Sequence, residues 1–295
     1  MTWAHRKNLP ALLAGALISA CLLAGCGGEP GQVKIVDLIP SPDVARDDKG
    51  PAILDGCRSG TGYTEAWTCV YGNPASERKV VLWGDSHAMQ FTTPMIDLAR
   101  RNNWRLVTMF RGSCFTGDVG FRPACDQWRA NAMARIREEQ PGLIVTATDT
   151  GDGYTLTEGE ARLSRKASEP LLRRAWSRTL RQLEQVTGNR RGGVVVIRDL
   201  PRSVVPTPDC LQAHADDLAR CDFKGFRKNP PGFDLEAARQ VDGVKLVDPS
   251  ERVCPGGICP AIRDGMVTYR DTTHLSATYA ATLADWLGER IGSPP

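Results

Sequence analysis

Histidine is scarce in this chain, with 4 among 295 residues, and no Cys-x-x-Cys pair occurs. A structural zinc site needs four closely spaced ligands of these kinds, so no metal site is expected. Long apolar runs are also missing. Outside residues 9–23, no segment approaches the roughly 20 apolar residues that cross a bilayer. An excess of one charge is absent too: Lys+Arg number 37 and Asp+Glu 34. That balance argues against a nucleic-acid partner, which a basic surface would attract. No internal repeat is visible, which excludes a solenoid.

What is present begins at the N-terminus. Arg6 and Lys7 precede the short apolar stretch, and small residues follow it. A positive start, a short apolar centre and a small-residue cut describe an export signal. Leu23-Ala24-Gly25-Cys26 resembles the lipobox of bacterial lipoproteins. The resemblance implies that residues 1–25 are removed and that Cys26 becomes the lipidated first residue. Gly27, in place of the aspartate that retains such proteins at the inner membrane, implies the periplasmic face of the outer membrane in a Gram-negative cell. Residues 26–50 are rich in Gly, Pro and Asp and read as a tether to a body at 51–295.

The cysteines agree with export. Of 10, Cys21 leaves with the signal and Cys26 takes the lipid. The others fall into neighbouring pairs: Cys57 with Cys69, Cys114 with Cys125, Cys210 with Cys221, and Cys254 with Cys259. An even set in an exported chain reads as disulfides. Sequence leaves the connectivity open, and pairing between neighbours is the expectation.

From residue 79 the pattern alternates. Runs at 79–83, 105–110, 143–147, 194–197 and 244–247 are short and rich in β-branched residues. Stretches at 89–101, 126–139 and 170–186 carry helical spacing; in the last, Leu172, Trp176, Leu180, Leu183 and Val186 line one face. A final helix should start at Ser276 and end near Ile291. Strands alternating with helices predict an α/β fold with a mostly parallel sheet covered on both faces. Residues 201–242, with five prolines and the Cys210/Cys221 pair, read as a disulfide-pinned insertion near the strand ends, either a lid or a decorating loop.

Chemistry concentrates at the end of the first long strand, in Gly84-Asp85-Ser86-His87. Sites in open α/β sheets form outside the carboxyl ends of strands, and N–H groups that open a helix favour a developing negative charge. Asp85 is expected to hold the turn, and His87 either lines the pocket or lies on the surface. A nucleophilic serine needs a base. His214 lies in the irregular insertion, whereas His274 follows Asp271 by three residues. That spacing lets the carboxylate orient Nδ1 and leaves Nε2 to accept the Ser86 proton.

Val80-Val81-Leu82-Trp83-Gly84-Asp85-Ser86-His87 and Asp271-Thr272-Thr273-His274-Leu275-Ser276 resemble the first and last blocks of SGNH (GDSL-type) hydrolases, above all the SGNH domains fused to membrane polysaccharide acyltransferases. The resemblance implies a three-layer α/β/α flavodoxin-like fold and acyl-ester chemistry without a cofactor. It implies Ser86, His274 and Asp271 as the catalytic residues. For the oxyanion it implies the Ser86 and Gly112 N–H groups, with Thr148 standing where the family has an asparagine.

Three functions are then open. An esterase would remove acetyl or other small acyl groups from envelope glycans through acyl-Ser86. An O-acyltransferase would pass the same acyl group to a surface polysaccharide or peptidoglycan, with a membrane acyltransferase as partner. A degenerate domain would bind glycan without turnover. The sequence places the esterase first.

Overall fold

The structure, a computed structural model, describes residues 34–120, 122–151, 154–158, 161–225 and 232–295. The leader and Cys26 lie outside these residues. Six strands form the central sheet: β1 (Cys69–Gly72), β2 (Lys79–Gly84), β3 (Arg105–Phe110), β4 (Leu143–Ala147), β5 (Val194–Ile197) and β6 (Lys245–Val247). Their order is β1-β3-β2-β4-β5-β6. The pairs β2–β3, β2–β4, β4–β5 and β5–β6 are parallel, and β1 alone runs antiparallel, against β3. Among the parallel strands this is the flavodoxin-like order, and it reverses beside β2.

The inner strands β2 to β5 read as nearly continuous apolar runs because both faces are covered. Val80, Leu82, Leu106, Val145, Val195 and Ile197 point to one core. Against it pack α2 (Thr92–Arg101), α7 (Ala277–Ala281) and α8 (Ala284–Ile291), which follow the four-residue α1 (Ser86–Met89) and its neighbours in chain order. Val81, Trp83, Val107, Met109, Ile144 and Val196 point to the other core, covered by α3 (Pro123–Glu139), α4 (Arg165–Val186) and α6 (Phe233–Arg239). The period-2 alternation along the inner strands thus feeds two layers, giving a three-layer α/β/α fold.

Three expectations are corrected. The helix expected over 89–101 is two helices, α1 and α2. Helix α4 begins at 165, where the Ser164 hydroxyl accepts the Ala167 N–H at 3.2 Å, and it accommodates Pro170 within its first two turns. The C-terminal helix is likewise α7 and α8, with Ser276 capping α7 through the Tyr279 N–H at 3.1 Å.

Residues 34–50, expected within a tether, are held against the body. Leu38 and Ala45 are buried in a satellite core with Leu211, Cys221, Ala261 and Val267. The Ile39 N–H donates to the Gly265 carbonyl at 2.9 Å. The carbonyl and carboxylate of Asp48 accept the Ala277 and Thr278 N–H groups at 3.0 and 2.8 Å. Few apolar residues sufficed to fix this segment, because the body supplies partners for its backbone. The insertion is shorter than expected. Its Cys210–Cys221 part, with α5 (Thr207–Ala213), belongs to that satellite core, whereas α6 at its end is the crossover helix between β5 and β6. All four neighbour disulfides are present. No helix among the described residues is long and apolar enough to cross a membrane.

Candidate active site

Gly84 ends β2, and the chain turns there into α1. A Cβ at Gly84 would lie 2.5 Å from the Ala147 carbonyl oxygen and 2.5 Å from the Ala88 Cβ, so only glycine fits. Asp85 caps α1 and is fully buried. One carboxylate oxygen accepts the His87 N–H at 2.8 Å. The other accepts the Thr148 hydroxyl at 2.9 Å, the Asp149 N–H at 2.8 Å and the Tyr154 hydroxyl at 2.7 Å. Burial pushes its pKa up, but four donors and no acceptor around it are the company of a carboxylate. Asp85 therefore clamps the end of β2 to the loop after β4. Ser86 follows it, half-buried, and its hydroxyl makes no hydrogen bond among the described residues.

The turn after Tyr269 carries the second half of the site. Asp271 accepts the Thr273 and His274 N–H groups at 2.8 and 2.7 Å, so its carboxylate folds the turn that presents it to the ring. His274 Nδ1 lies 2.9 Å from Asp271 Oδ2, and His274 Nε2 is buried with no partner among the described residues. Burial lowers the His274 pKa, outweighing the Asp271 bond. The imidazole is thus neutral at physiological pH, with its proton on Nδ1 and a lone pair on Nε2. Asp271 is held well below the usual carboxylate range: burial opposes this, and the His274 bond and charge outweigh it.

Sequence reasoning missed how the two halves join. The Gln90 side chain, just past α1, accepts the Leu275 N–H at 2.9 Å and donates to the His87 carbonyl at 3.1 Å. It fastens the His274 turn to the helix that Ser86 opens. From behind, Arg270 contacts Asp271 at 3.2 Å, and the Asp48 cap on α7 holds the segment that follows.

Two site expectations change. Thr148 is 1% exposed and donates its hydroxyl to Asp85. A hydroxyl has one proton to give, so Thr148 is a structural clamp and no oxyanion donor. Gly112 remains available: its N–H makes no backbone bond among the described residues, and nothing lies within 4 Å of where its Cβ would be. A Thr148→Val variant should consequently lose less than about tenfold in ester turnover, against the about 10²–10³ of a lost oxyanion donor. It should also lose about 1 kcal/mol of stability in chemical unfolding, because Asp85 keeps three of its donors.

His87 is no surface residue either. It is 2% exposed, and its Nδ1 lies 2.5 Å from Oδ1 of the buried Asp199. Asp199 comes from the loop after β5, 112 residues away, and no local pattern marks it. Its other oxygen accepts the Thr150 N–H and hydroxyl at 2.8 and 2.9 Å, and Arg202 bridges Asp199 to Asp149. His87, Asp149 and Asp199 are the one trio of close side chains among the described residues that could grip a cation. Arg202 bridges its two carboxylates and His87 Nδ1 lies on Asp199, so the trio is already knit into a hydrogen-bonded network.

A strand-end serine at the reversal of a flavodoxin-like sheet and an Asp-supported histidine on the last loop, tied through Gln90 to the helix the serine opens, define a class of α/β/α domain. Residues 56–288 match the family described as the SGNH domain (fused to AT3 domains), and the chain belongs to that family. No curated protein matches the chain. Among solved structures it is similar to the periplasmic domain of the lipopolysaccharide acetyltransferase of Salmonella ser. Paratyphi A. The TM-score is 0.53 at 16% identity, over 73% of this chain and 84% of that one, a likeness of fold.

Proposed function

We propose that the protein is a serine acyl-ester enzyme of the cell envelope that removes acetyl or other small acyl groups from glycans. The observation that carries this reading is the His274 ring: Nδ1 fixed on Asp271, Nε2 buried and without a partner among the described residues, the whole turn fastened by Gln90 to the helix opened by Ser86. Nε2 takes the Ser86 proton as Oγ attacks the acyl carbon. The tetrahedral oxyanion forms against the Ser86 and Gly112 N–H groups. The C–O bond to the sugar breaks, and His274 returns the proton to the departing alkoxide. Water then attacks acyl-Ser86 by the same route in reverse.

Transfer is the second reading. The family's fusion to AT3 domains and the acetyltransferase title of the structural neighbour favour it. A sugar hydroxyl would replace water, and a membrane acyltransferase would supply the acyl group. Export is supported by the four disulfides, and anchoring at Cys26 by the lipobox. A chromogenic acetate ester offered with and without glycan acceptor decides. Free acetate is expected in both arms, and acetylated acceptor assigns transfer. No turnover, together with no labelling of Ser86 by a serine-directed inhibitor, overturns both in favour of a glycan-binding domain.

A further inference from the structure

Among the buried titratable groups that the mechanism leaves unused, His87 lies nearest the base in its chemistry, being a second imidazole. His87 lies beneath the site with its ring centroid 4.8 Å from that of His274, the planes tilted by 54°. Two imidazoles so close and so buried do not both carry a proton at low cost. At ordinary protein permittivities a second charge at that distance is disfavoured by a factor of several to several hundred. The surroundings decide which ring holds it. Around His87 stand Asp199 at 2.5 Å, then Asp85 and Asp149, with Arg202 beyond on Asp149 and Asp199. Tyr154 faces the same carboxylates from its own loop, and Tyr269 faces Asp199. Around His274 stand Asp271, Arg270 and His87 itself, and Asp47 and Asp48 face Arg270 from the N-terminal segment.

We propose that His87, held by Asp199, is a resident cation that keeps the His274 ring neutral and its Nε2 unprotonated, a positioning residue for the proton rather than a group that touches substrate. The inference rests on the Ser86–His274 reading of the site. Charge and contacts agree with it. Burial opposes a charge on His87, yet the Asp199 carboxylate outweighs burial and raises its pKa to about 9. The His87 charge in turn depresses His274, adding to the effect of burial there. The catalytic consequence is twofold. His274 stays a free base in mildly acidic surroundings. Once it has taken the Ser86 proton, the imidazolium faces a like charge and gives that proton more readily to the leaving alkoxide. The proton moves from Ser86 Oγ to His274 Nε2 to the alkoxide, and His87 keeps its own throughout.

Ring-carbon NMR of the histidines, followed from about pH 5 to about pH 10 on the full chain, tests this apart from turnover. The unmodified protein should show His87 charged through neutrality and His274 titrating below the ordinary histidine value. His87→Gln should move the His274 midpoint up by about one to two pH units. The acid limb of ester turnover should move with it. Asp199→Asn should lower the His87 midpoint and raise that of His274. A His87 that is neutral at pH 7 in the unmodified protein overturns the proposal, even where the variants fail to fold. So does an unchanged His274 midpoint in a folded variant, the outcome of a purely structural role. Titrations as expected without Ser86 labelling would instead refute the catalytic reading and leave the electrostatic one standing.

Discussion

Ser86→Ala lowers ester turnover by about 10⁴- to 10⁶-fold and leaves the fold and its thermal midpoint unchanged. The two halves of this expectation come from different facts. The rate falls because the two neighbouring hydroxyls are otherwise placed: that of Thr148 is committed to Asp85 in a buried clamp, and that of Thr273 lies at Nδ1 of His274, away from the free Nε2. Stability persists because the Ser86 hydroxyl makes no hydrogen bond among the described residues and the capping of α1 is done by Asp85. Intact-mass measurement during turnover should show an acyl adduct on the unmodified chain and none on the variant. Turnover within about tenfold of normal would place the nucleophile elsewhere.

Asp271→Asn should cost about 10⁴-fold, although it changes one atom. Asp271 Oδ1 accepts the backbone N–H groups of Thr273 and His274, at 2.8 and 2.7 Å. An asparagine must keep its oxygen there to hold the turn. Its NH₂ then occupies the position of Oδ2, which lies 2.9 Å from His274 Nδ1. The contact of Nδ1 with Oδ1 is the longer one, 3.1 Å, so avoiding two facing donors at the shorter contact favours a ring with its lone pair at Nδ1 and its proton on Nε2. That is the atom required to accept the proton of Ser86. Nitrogen-15 spectra should show the tautomer change directly, and a variant with the original tautomer and unimpaired turnover would refute the assignment. Stability carries a second signature. The carboxyl of Asp271 titrates lower in the folded chain than in the unfolded one, burial notwithstanding. Its stabilisation is therefore present above the unfolded carboxyl value, about pH 3.9, and is lost as pH falls through the folded one. The asparagine variant should lose that part of the acid dependence.

The parts of this molecule legible in the sequence are those whose causes are local. Strands β2 to β5 announce themselves because burial on both faces makes them nearly uninterrupted apolar runs bounded by turns. The Asp271–His274 contact spans three residues, so spacing alone suggests it. Asp199 was invisible, since it reaches His87 across 112 residues from a loop with no periodicity to read. Gln90 was hidden for the same reason, its partner Leu275 lying 185 positions away. For Thr148, position after a strand specifies where a side chain starts and says nothing of which partner it finds. For the segment at 34–50, composition reports how little apolar surface a stretch has, not whether that little is enough.

The order of the cysteines has a consequence for how the chain matures. A polypeptide delivered N-terminus first into an oxidising compartment presents Cys57 and then Cys69, Cys114 and then Cys125, Cys210 and then Cys221, Cys254 and then Cys259. In each case the native partner is the next thiol to arrive, 5 to 12 residues later. On the proposed export, an oxidase that joins these eight cysteines as they emerge writes the correct set at the first attempt, and the native bonds should form without a disulfide isomerase.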